Sequence, residues 1–141
     1  MNAFIDANVI VYAVSDRDPA ANCERLLVKI AEGAVRATTS IAVLEEVWHL
    51  ELSGKVPGLS GQAERMLSVF GEIVPVSPAS LRLAMSLDAP PRLGANDRLH
   101  IGVCLEHGID TIVSADRGFD DIAGLTRIDP FDAAALHRLE Q

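Results

Sequence analysis

The sequence predicts a single α/β domain with a doubly wound, mostly parallel central sheet flanked by helices. Its 141 residues suffice for one domain with a sizeable core. Short apolar runs alternate with segments of helical spacing about 10–15 residues long, a pattern typical of βαβ units. Two of these runs end at or just before an aspartate, at strand ends where such sheets bind ligands. We therefore expect residues 1–141 to form one domain with a site at the carboxyl edge of its sheet.

The first half of the chain contains three runs short enough to be buried strands, separated by segments of helical spacing. We predict strands over residues 3–6, 36–40 and 73–76, helices over 19–32, 41–52 and 60–70, and an apolar segment over 9–14. Pro19 suits the first turn of a helix, and Gly33 suits its end. These signals define the first helix better than the later ones.

The second half continues the alternation. We predict helices over residues 77–87, 96–107 and 131–139, and strands over 110–114 and 125–128. Pro78 is typical of a helix start, Pro90 and Pro91 break the chain, and Gly108 ends the helix that precedes the buried strand.

The formal net charge of −8 argues against a protein that binds nucleic acid through a broad basic surface. It does not exclude a nuclease whose acids hold metal ions. No apolar run reaches the roughly 18 residues that span a bilayer, and the chain start lacks the features of a signal peptide. Cys23 and Cys104 have no zinc-binding spacing, and no disulfide between them is expected. We expect a cytoplasmic protein without a membrane contact.

Four carboxylates occupy informative positions. Asp6 ends the first strand, Glu46 lies on the helix after the second, Asp97 begins the helix 96–107, and Asp116 follows the strand 110–114. Carboxylates packed together repel one another unless a cation joins them. Oxygen ligands suit Mg²⁺ or Mn²⁺, which can activate water and hold a phosphate. The pattern indicates hydrolysis of a phosphodiester.

Each acid also has a simpler interpretation. Asp6 could be a turn residue, and Asp97 or Asp116 could merely cap a helix start. Glu45 could take the place of Glu46, although helical spacing puts Glu46 nearer the apolar face. The set is therefore more informative than any member.

Several further residues could support the site. Asn8 and Ser40 could position a carboxylate or a metal-bound water by hydrogen bonds. Asp120 lies one helical turn after Asp116 and could join the site, as could Asp121, or either could be a solvated surface acid.

The histidines and the single tryptophan are expected to have lesser roles. His100 and His49 each follow an acid of the set by three residues, and both fit supporting or packing roles better than direct ligation. Trp48 is expected in the core or at a dimer contact.

Four segments together resemble the PIN domain family. They are residues 4–10 (FIDANVI), 39–47 (TSIAVLEEV), 96–101 (NDRLHI) and 112–120 (IVSADRGFD). By size and layout, the chain is similar to the VapC toxins of bacterial VapBC toxin–antitoxin pairs. One departure is Arg98, because the family often has a small residue after this aspartate; Arg98 could contact RNA phosphate or an antitoxin carboxylate, or be solvated.

The resemblance implies a ribonuclease that depends on Mg²⁺ or Mn²⁺ and acts on tRNA or ribosomal RNA. It implies that Asp6, Glu46, Asp97 and Asp116 form the metal site. It also implies a homodimer and a VapB-like antitoxin whose tail blocks the active site.

Two rival functions remain open. Phosphatase and phosphoacceptor domains also place an aspartate after the first strand. One such class needs a second aspartate where this chain has Asn8, and both need a late lysine, whereas none follows Lys55. The other rival is a catalytically silent module that binds RNA or protein. It would be expected to have lost an acid, and all four are present.

Overall fold

The computed structural model describes residues 2–140, so Met1 and Gln141 of the predicted domain lie outside the described residues. Five strands and seven α-helices alternate along this part of the chain. The strands are β1 (Ala3–Ile5), β2 (Ala37–Ser40), β3 (Ile73–Val74), β4 (Thr111–Val113) and β5 (Thr126–Ile128). The helices are α1 (Ala7–Ala13), α2 (Ala20–Ala31), α3 (Ile41–Ser53), α4 (Gln62–Val69), α5 (Pro78–Met85), α6 (Ala95–Glu106) and α7 (Ala133–His137). A 3₁₀ helix spans Arg117–Asp121.

The five strands form one sheet in the order β3-β2-β1-β4-β5. Every pairing is parallel, which sharpens the predicted mostly parallel sheet to a fully parallel one. The chain runs outward from β1 to β3 and then returns to the other side of β1. The strand order therefore reverses between β1 and β4, where parallel sheets form their binding crevice.

The centre of the sheet is buried on both faces. All three residues of β1 have no exposed surface, and neither do Ile112 and Val113 of β4. Strands covered on both sides are expected to be continuously apolar rather than alternating. This explains why the central runs were recognisable as strands from the sequence.

Helices α5 and α6 lie unusually close together, and this packing supports the helix that carries Asp97. A Cβ atom on Gly102 would collide with the backbone oxygen of Ser80 and lie 3.0 Å from the nitrogen of Ala84. The hydroxyl of Ser77 also donates to Glu106 Oε1 at 2.6 Å. The missing side chain of Gly102 therefore lets α5 hold α6 against the sheet.

Several predicted boundaries differ from the structure by one or two residues; β3, for example, ends at Val74 instead of residue 76. The apolar segment 9–14 belongs to α1, which begins directly after Asp6. Helix α4 begins two residues later than predicted because its N-cap, Gly61, is in the left-handed region at φ 79°. The last helix covers Ala133–His137 instead of 131–139, because the Asp132 side chain accepts from the nitrogen of Ala135 and starts the helix there.

Two further features concern the cysteines and the membrane. Cys23 and Cys104 are buried free thiols. Across residues 2–140, no helix combines the length and the apolar character needed to cross a membrane.

Candidate metal centre at the carboxyl edge of the sheet

Asp6 is the innermost acid of the site. It follows β1 directly, is only 4% exposed, and caps α1 because its Oδ1 accepts from the nitrogen of Ala7 at 2.8 Å. Its Oδ2 accepts from Ser114 Oγ at 2.7 Å and from Asn8 Nδ2 at 3.2 Å. The Asp6 carboxylate is therefore fixed by neutral donors in a buried position.

Asp97 approaches Asp6 from the first turn of α6. This helix begins at Ala95 with Gly94 as its N-cap, so Asp97 is a first-turn acid rather than the cap itself. One ligand atom each of Asp6, Asp97 and His100 lie within 4.8 Å of one another. Two predicted site acids thus meet at the switch point.

Glu46 reaches the cluster through His100. The imidazole is fully buried, and its Nε2 lies 3.2 Å from Glu46 Oε1 and 3.9 Å from Asp6 Oδ1. Glu46 is half-buried whereas Glu45 is exposed, which agrees with the preference for Glu46 over Glu45 from helical spacing. His100 therefore links α3 to α6 beside the acids, in the supporting position that the sequence indicated.

Asp116 completes the group from the other side of the crevice. It caps the 3₁₀ helix, with Oδ1 accepting from the nitrogen of Gly118 at 2.8 Å. Its negative charge is one of the influences that raise the pKa of Asp97, and so is the charge of Glu46. Asp6 and Asp97 thus meet directly, and Glu46 and Asp116 lie near enough for their charges to act on Asp97.

The clustering changes how these groups titrate. Burial and then the charges of Asp6, Asp116 and Glu46 raise the pKa of Asp97 to about 6, against the smaller lowering effect of His100. Burial also raises the pKa of Asp6, although His100 and the Ser114 hydroxyl oppose it. Burial lowers the pKa of His100, but the hydrogen bond to Glu46 and the neighbouring carboxylates outweigh burial and raise it.

Ser114 is the site residue that sequence reasoning missed. Its hydroxyl donates to Asp6 Oδ2 and accepts from Asn8 Nδ2 at 2.9 Å and from the nitrogen of Asp116 at 3.0 Å. Asn8 also accepts from the nitrogen of Ala115 at 3.2 Å. Asn8 thus makes the carboxylate contact predicted for it, while the only sequence signal for Ser114 was its place between a buried strand and Asp116.

The other supporting candidates bond elsewhere. Ser40 is buried, and its hydroxyl accepts from the nitrogen of Val43 at 3.3 Å as the cap of α3. Asp120 is paired with Arg127, because the 3₁₀ helix turns its carboxylate toward β5. Asp121 lies at the surface, 3.6 Å from Arg92. Among the described residues, none of these three side chains hydrogen-bonds to the four acids.

Two residues have surroundings that the sequence did not indicate. Arg98 is partly buried, and its guanidinium donates to the carbonyl oxygens of Leu93 at 2.7 Å and Pro90 at 2.9 Å, and so fixes the loop before α6. Trp48 is 54% exposed, so the suggested core role is wrong. It lines an apolar groove between α3 and α4 together with Ile41 and Leu67.

The donor set fits a hard divalent cation. The carboxylates of Asp6 and Asp97 offer oxygen atoms, and both have raised pKa values because they are buried and close to other negative charges. A cation such as Mg²⁺ or Mn²⁺ would relieve this repulsion. His100 could contribute a nitrogen, but its Nε2 already contacts Glu46.

The fold and the acidic crevice indicate the protein family to which the chain belongs. A model of the PIN domain family matches residues 3–125, and the chain belongs to that family. Within it, the chain is similar to ribonuclease VapC13 of Mycobacterium tuberculosis, with 30% identity over 127 residues that cover 88% of this chain and 97% of the relative. Ribonuclease VapC7 of the same species is 27% identical over 136 residues, covering 94% and 93% of the two chains.

Solved structures show the same fold at lower identity. VapBC2 from Rickettsia felis, bound to a promoter DNA fragment, superposes with a TM-score of 0.67 at 22% identity, covering 92% of this chain and 98% of that one. Mycobacterium tuberculosis VapC20, described as a toxin that cleaves the sarcin–ricin loop, gives 0.64 at 16% identity, covering 87% and 98%.

Proposed function

We propose that this protein is a metal-dependent endoribonuclease, and the toxin of a toxin–antitoxin pair, acting on tRNA or ribosomal RNA. The observation that carries the proposal is the meeting of Asp6 and Asp97 beside His100 at the switch point of the sheet, where the charges of Glu46 and Asp116 also act on Asp97. The naming of the curated relatives as ribonucleases supports the same reaction class.

In this proposal the four carboxylates hold one or two Mg²⁺ or Mn²⁺ ions. When bound, such ions supply an activated water and stabilise charge on the phosphate and the leaving oxygen. Hydrogen bonds within the chain hold two of these carboxylates in position. Asp6 is fixed by Ser114 and Asn8, and Asp116 is fixed by its capping bond, so these acids need little rearrangement.

His100 has a positioning part in the proposed mechanism. Its Nε2 contact with Glu46 orients a carboxylate that is otherwise half-exposed on α3. A protonated imidazole also offsets part of the charge of Asp6 and Glu46 when no metal is bound.

The proposed partners are an antitoxin and a second copy of the chain. The related solved structures include complexes of VapBC2 and of FitAB with DNA, which supports an antitoxin partner.

The groove that contains Trp48 is apolar and borders α3, the helix that carries Glu46. Because the chain has one tryptophan, its fluorescence reports on this groove. Adding a VapB-like antitoxin should change the emission of Trp48 if the antitoxin docks in this groove.

The central experiment is cleavage of purified tRNA and ribosomal RNA with Mg²⁺, with Mn²⁺ or with a chelator. Asp97→Asn is the test variant, and Asp88→Asn is the matched control, because Asp88 is an exposed aspartate outside the site. We expect metal-dependent cleavage by the wild type and the control and none by Asp97→Asn. A folded protein that cleaves neither RNA with either metal would contradict the proposal and favour a binding role. Cleavage that persists in the chelator and in Asp97→Asn would contradict the metal site.

A further inference from the structure

Arg127 is a nearly buried arginine in the middle of β5, outside the group of acids, and its guanidinium reaches the residue that follows β4. It lies on β5, paired in register with Ile112 of β4, and its side chain is only 9% exposed. Arginine is almost never this buried unless its charge is paired. Its contacts therefore indicate what the side chain does.

The guanidinium binds two ends of one short segment. Its Nε and Nη2 donate to the two carboxylate oxygens of Asp120 at 2.6 Å and 3.3 Å. Its Nη1 donates to the carbonyl oxygen of Ser114 at 2.9 Å and lies 3.4 Å from Asp129 Oδ2. The Arg127 side chain thus binds both the residue that follows β4 and a residue near the C-terminal end of the 3₁₀ helix.

The segment between these two contacts carries part of the candidate metal centre. Ser114 donates to Asp6 through its hydroxyl, and the same hydroxyl accepts from the nitrogen of Asp116. Asp116 begins the 3₁₀ helix that Asp120 nearly ends. A shift of either held end would therefore move Asp116 relative to Asp6.

We propose that Arg127 is a positioning residue that fixes residues 114–120 so that Asp116 and Ser114 face the other acids. The inference rests on the proposed function, because it assigns Arg127 a part in the same metal site. It requires an arginine: the planar fork can bind Asp120 with two nitrogens while a third reaches Ser114, whereas a lysine ammonium is a single point charge.

The test compares Mn²⁺ affinity and cleavage across a set of variants. Arg127→Gln removes the charge, Arg127→Lys keeps it without the fork, and Asp120→Asn removes only one of the two held ends. Arg65→Gln is the matched control, because Arg65 makes a similar two-nitrogen contact with Glu24, at 3.0 Å and 3.5 Å, between α4 and α2. Mn²⁺ binding is measured by calorimetry, with thermal unfolding run in parallel.

We expect Arg127→Gln to weaken Mn²⁺ binding by about 10–100-fold, the range for residues that orient metal ligands. Arg127→Lys should recover part of this loss, Asp120→Asn should show a smaller loss, and Arg65→Gln should bind Mn²⁺ as the wild type does. If Arg127 only stabilised the fold, Arg127→Gln and Arg65→Gln would both lower the melting temperature, and neither would weaken Mn²⁺ binding selectively.

Wild-type Mn²⁺ affinity in a folded Arg127→Gln protein would overturn the inference. If that variant does not fold, unchanged affinity in both Arg127→Lys and Asp120→Asn would overturn it equally. The proposed function fails separately: it fails if Asp97→Asn cleaves RNA as the wild type does, whatever the Arg127 variants show.

Discussion

Replacing Asp97 by asparagine should stabilise the metal-free protein while abolishing its activity. Asp97 is half-buried in the first turn of α6 and faces the charges of Asp6, Asp116 and Glu46. Asparagine is almost the same size and shape but carries no charge. The substitution therefore removes repulsion without leaving a cavity.

The magnitude follows from the pKa of Asp97. The folded state raises this pKa from 3.8 to about 6, a difference of about 2 units. At about 1.36 kcal/mol per unit, this corresponds to an upper bound of about 3 kcal/mol for the ionised form. Partial solvent screening reduces this to about half. Losing a negative charge at a helix N-terminus costs roughly 0.5 kcal/mol, which leaves a net gain of about 1 kcal/mol.

The raised pKa also determines how the stability difference between Asp97→Asn and the wild type changes with pH. A carboxyl group whose pKa is raised by folding holds its proton more tightly in the folded state. Between pH 3.8 and about pH 6, the folded wild type therefore binds more protons than the unfolded chain, and this group's contribution to stability falls as the pH rises. The advantage of Asp97→Asn should be absent below about pH 4 and complete above pH 6 to 7.

Thermal unfolding in a chelator, from pH 4 to pH 8, measures this advantage. A gain of about 1 kcal/mol should raise the melting temperature by about 4 °C in a domain of this size. Asp88→Asn, at the surface, should follow the wild type at every pH. Adding Mn²⁺ should then stabilise the wild type far more than Asp97→Asn, because ligand binding stabilises only the state that binds it.

Two results would refute this reasoning. One is an Asp97→Asn protein that is less stable than the wild type at pH 8 in the chelator. The other is an advantage that is the same at pH 4 as at pH 8. Either would mean that burial and the neighbouring carboxylates do not disfavour the charge of Asp97 in the folded protein.

Three further substitutions test other parts of the structure. Gly102→Ala should destabilise the protein by roughly 1–3 kcal/mol in urea unfolding, because the new Cβ would collide with the backbone oxygen of Ser80; wild-type stability would contradict the close packing of α5 on α6. Gly118→Ala should weaken Mn²⁺ binding, because its Cβ would lie 3.0 Å from Asp116 Oδ1 and displace that carboxylate. His100→Gln should lower both Mn²⁺ affinity and RNA cleavage by about 10–100-fold; unchanged values would show that the histidine only packs.

The placement of the acids at one edge of the sheet was predictable because each is tied to a local pattern. Asp6 follows a buried strand, Asp116 comes three residues after one, and Asp97 lies in the first turn of a helix, so strand and helix boundaries place them at one edge of a parallel sheet. Glu46 could be preferred to Glu45 because helical spacing separates an inward face from an outward one. These arguments need only the spacing of apolar residues along each segment and the topology of the parallel sheet.

The partners of Ser114, His100 and Asp120 were not predictable, for a physical reason. Ser114 meets Asp6 across 108 positions of sequence, and His100 meets Glu46 across 54. Such contacts depend on side-chain directions that are fixed only when the sheet and its helices have packed. Asp120 shows the same limit: its spacing from Asp116 suggested a place in the site, but β5 presents Arg127 to its carboxylate instead.

The charges around the crevice explain how so acidic a chain can serve as a nuclease. Arg98, which follows Asp97, and Arg127, which contacts Ser114, are engaged elsewhere: Arg98 binds the loop before α6, and Arg127 binds Asp120 and the Ser114 carbonyl oxygen. Among residues 2–140, the cationic group that contacts the acids directly is His100, which can offset only one of four negative charges. The remaining charge is best neutralised by a divalent cation, and the same cation would attract the RNA phosphate that the acidic surface repels. We therefore expect metal loading to precede RNA binding, so that binding of RNA, and not only its cleavage, requires Mg²⁺ or Mn²⁺.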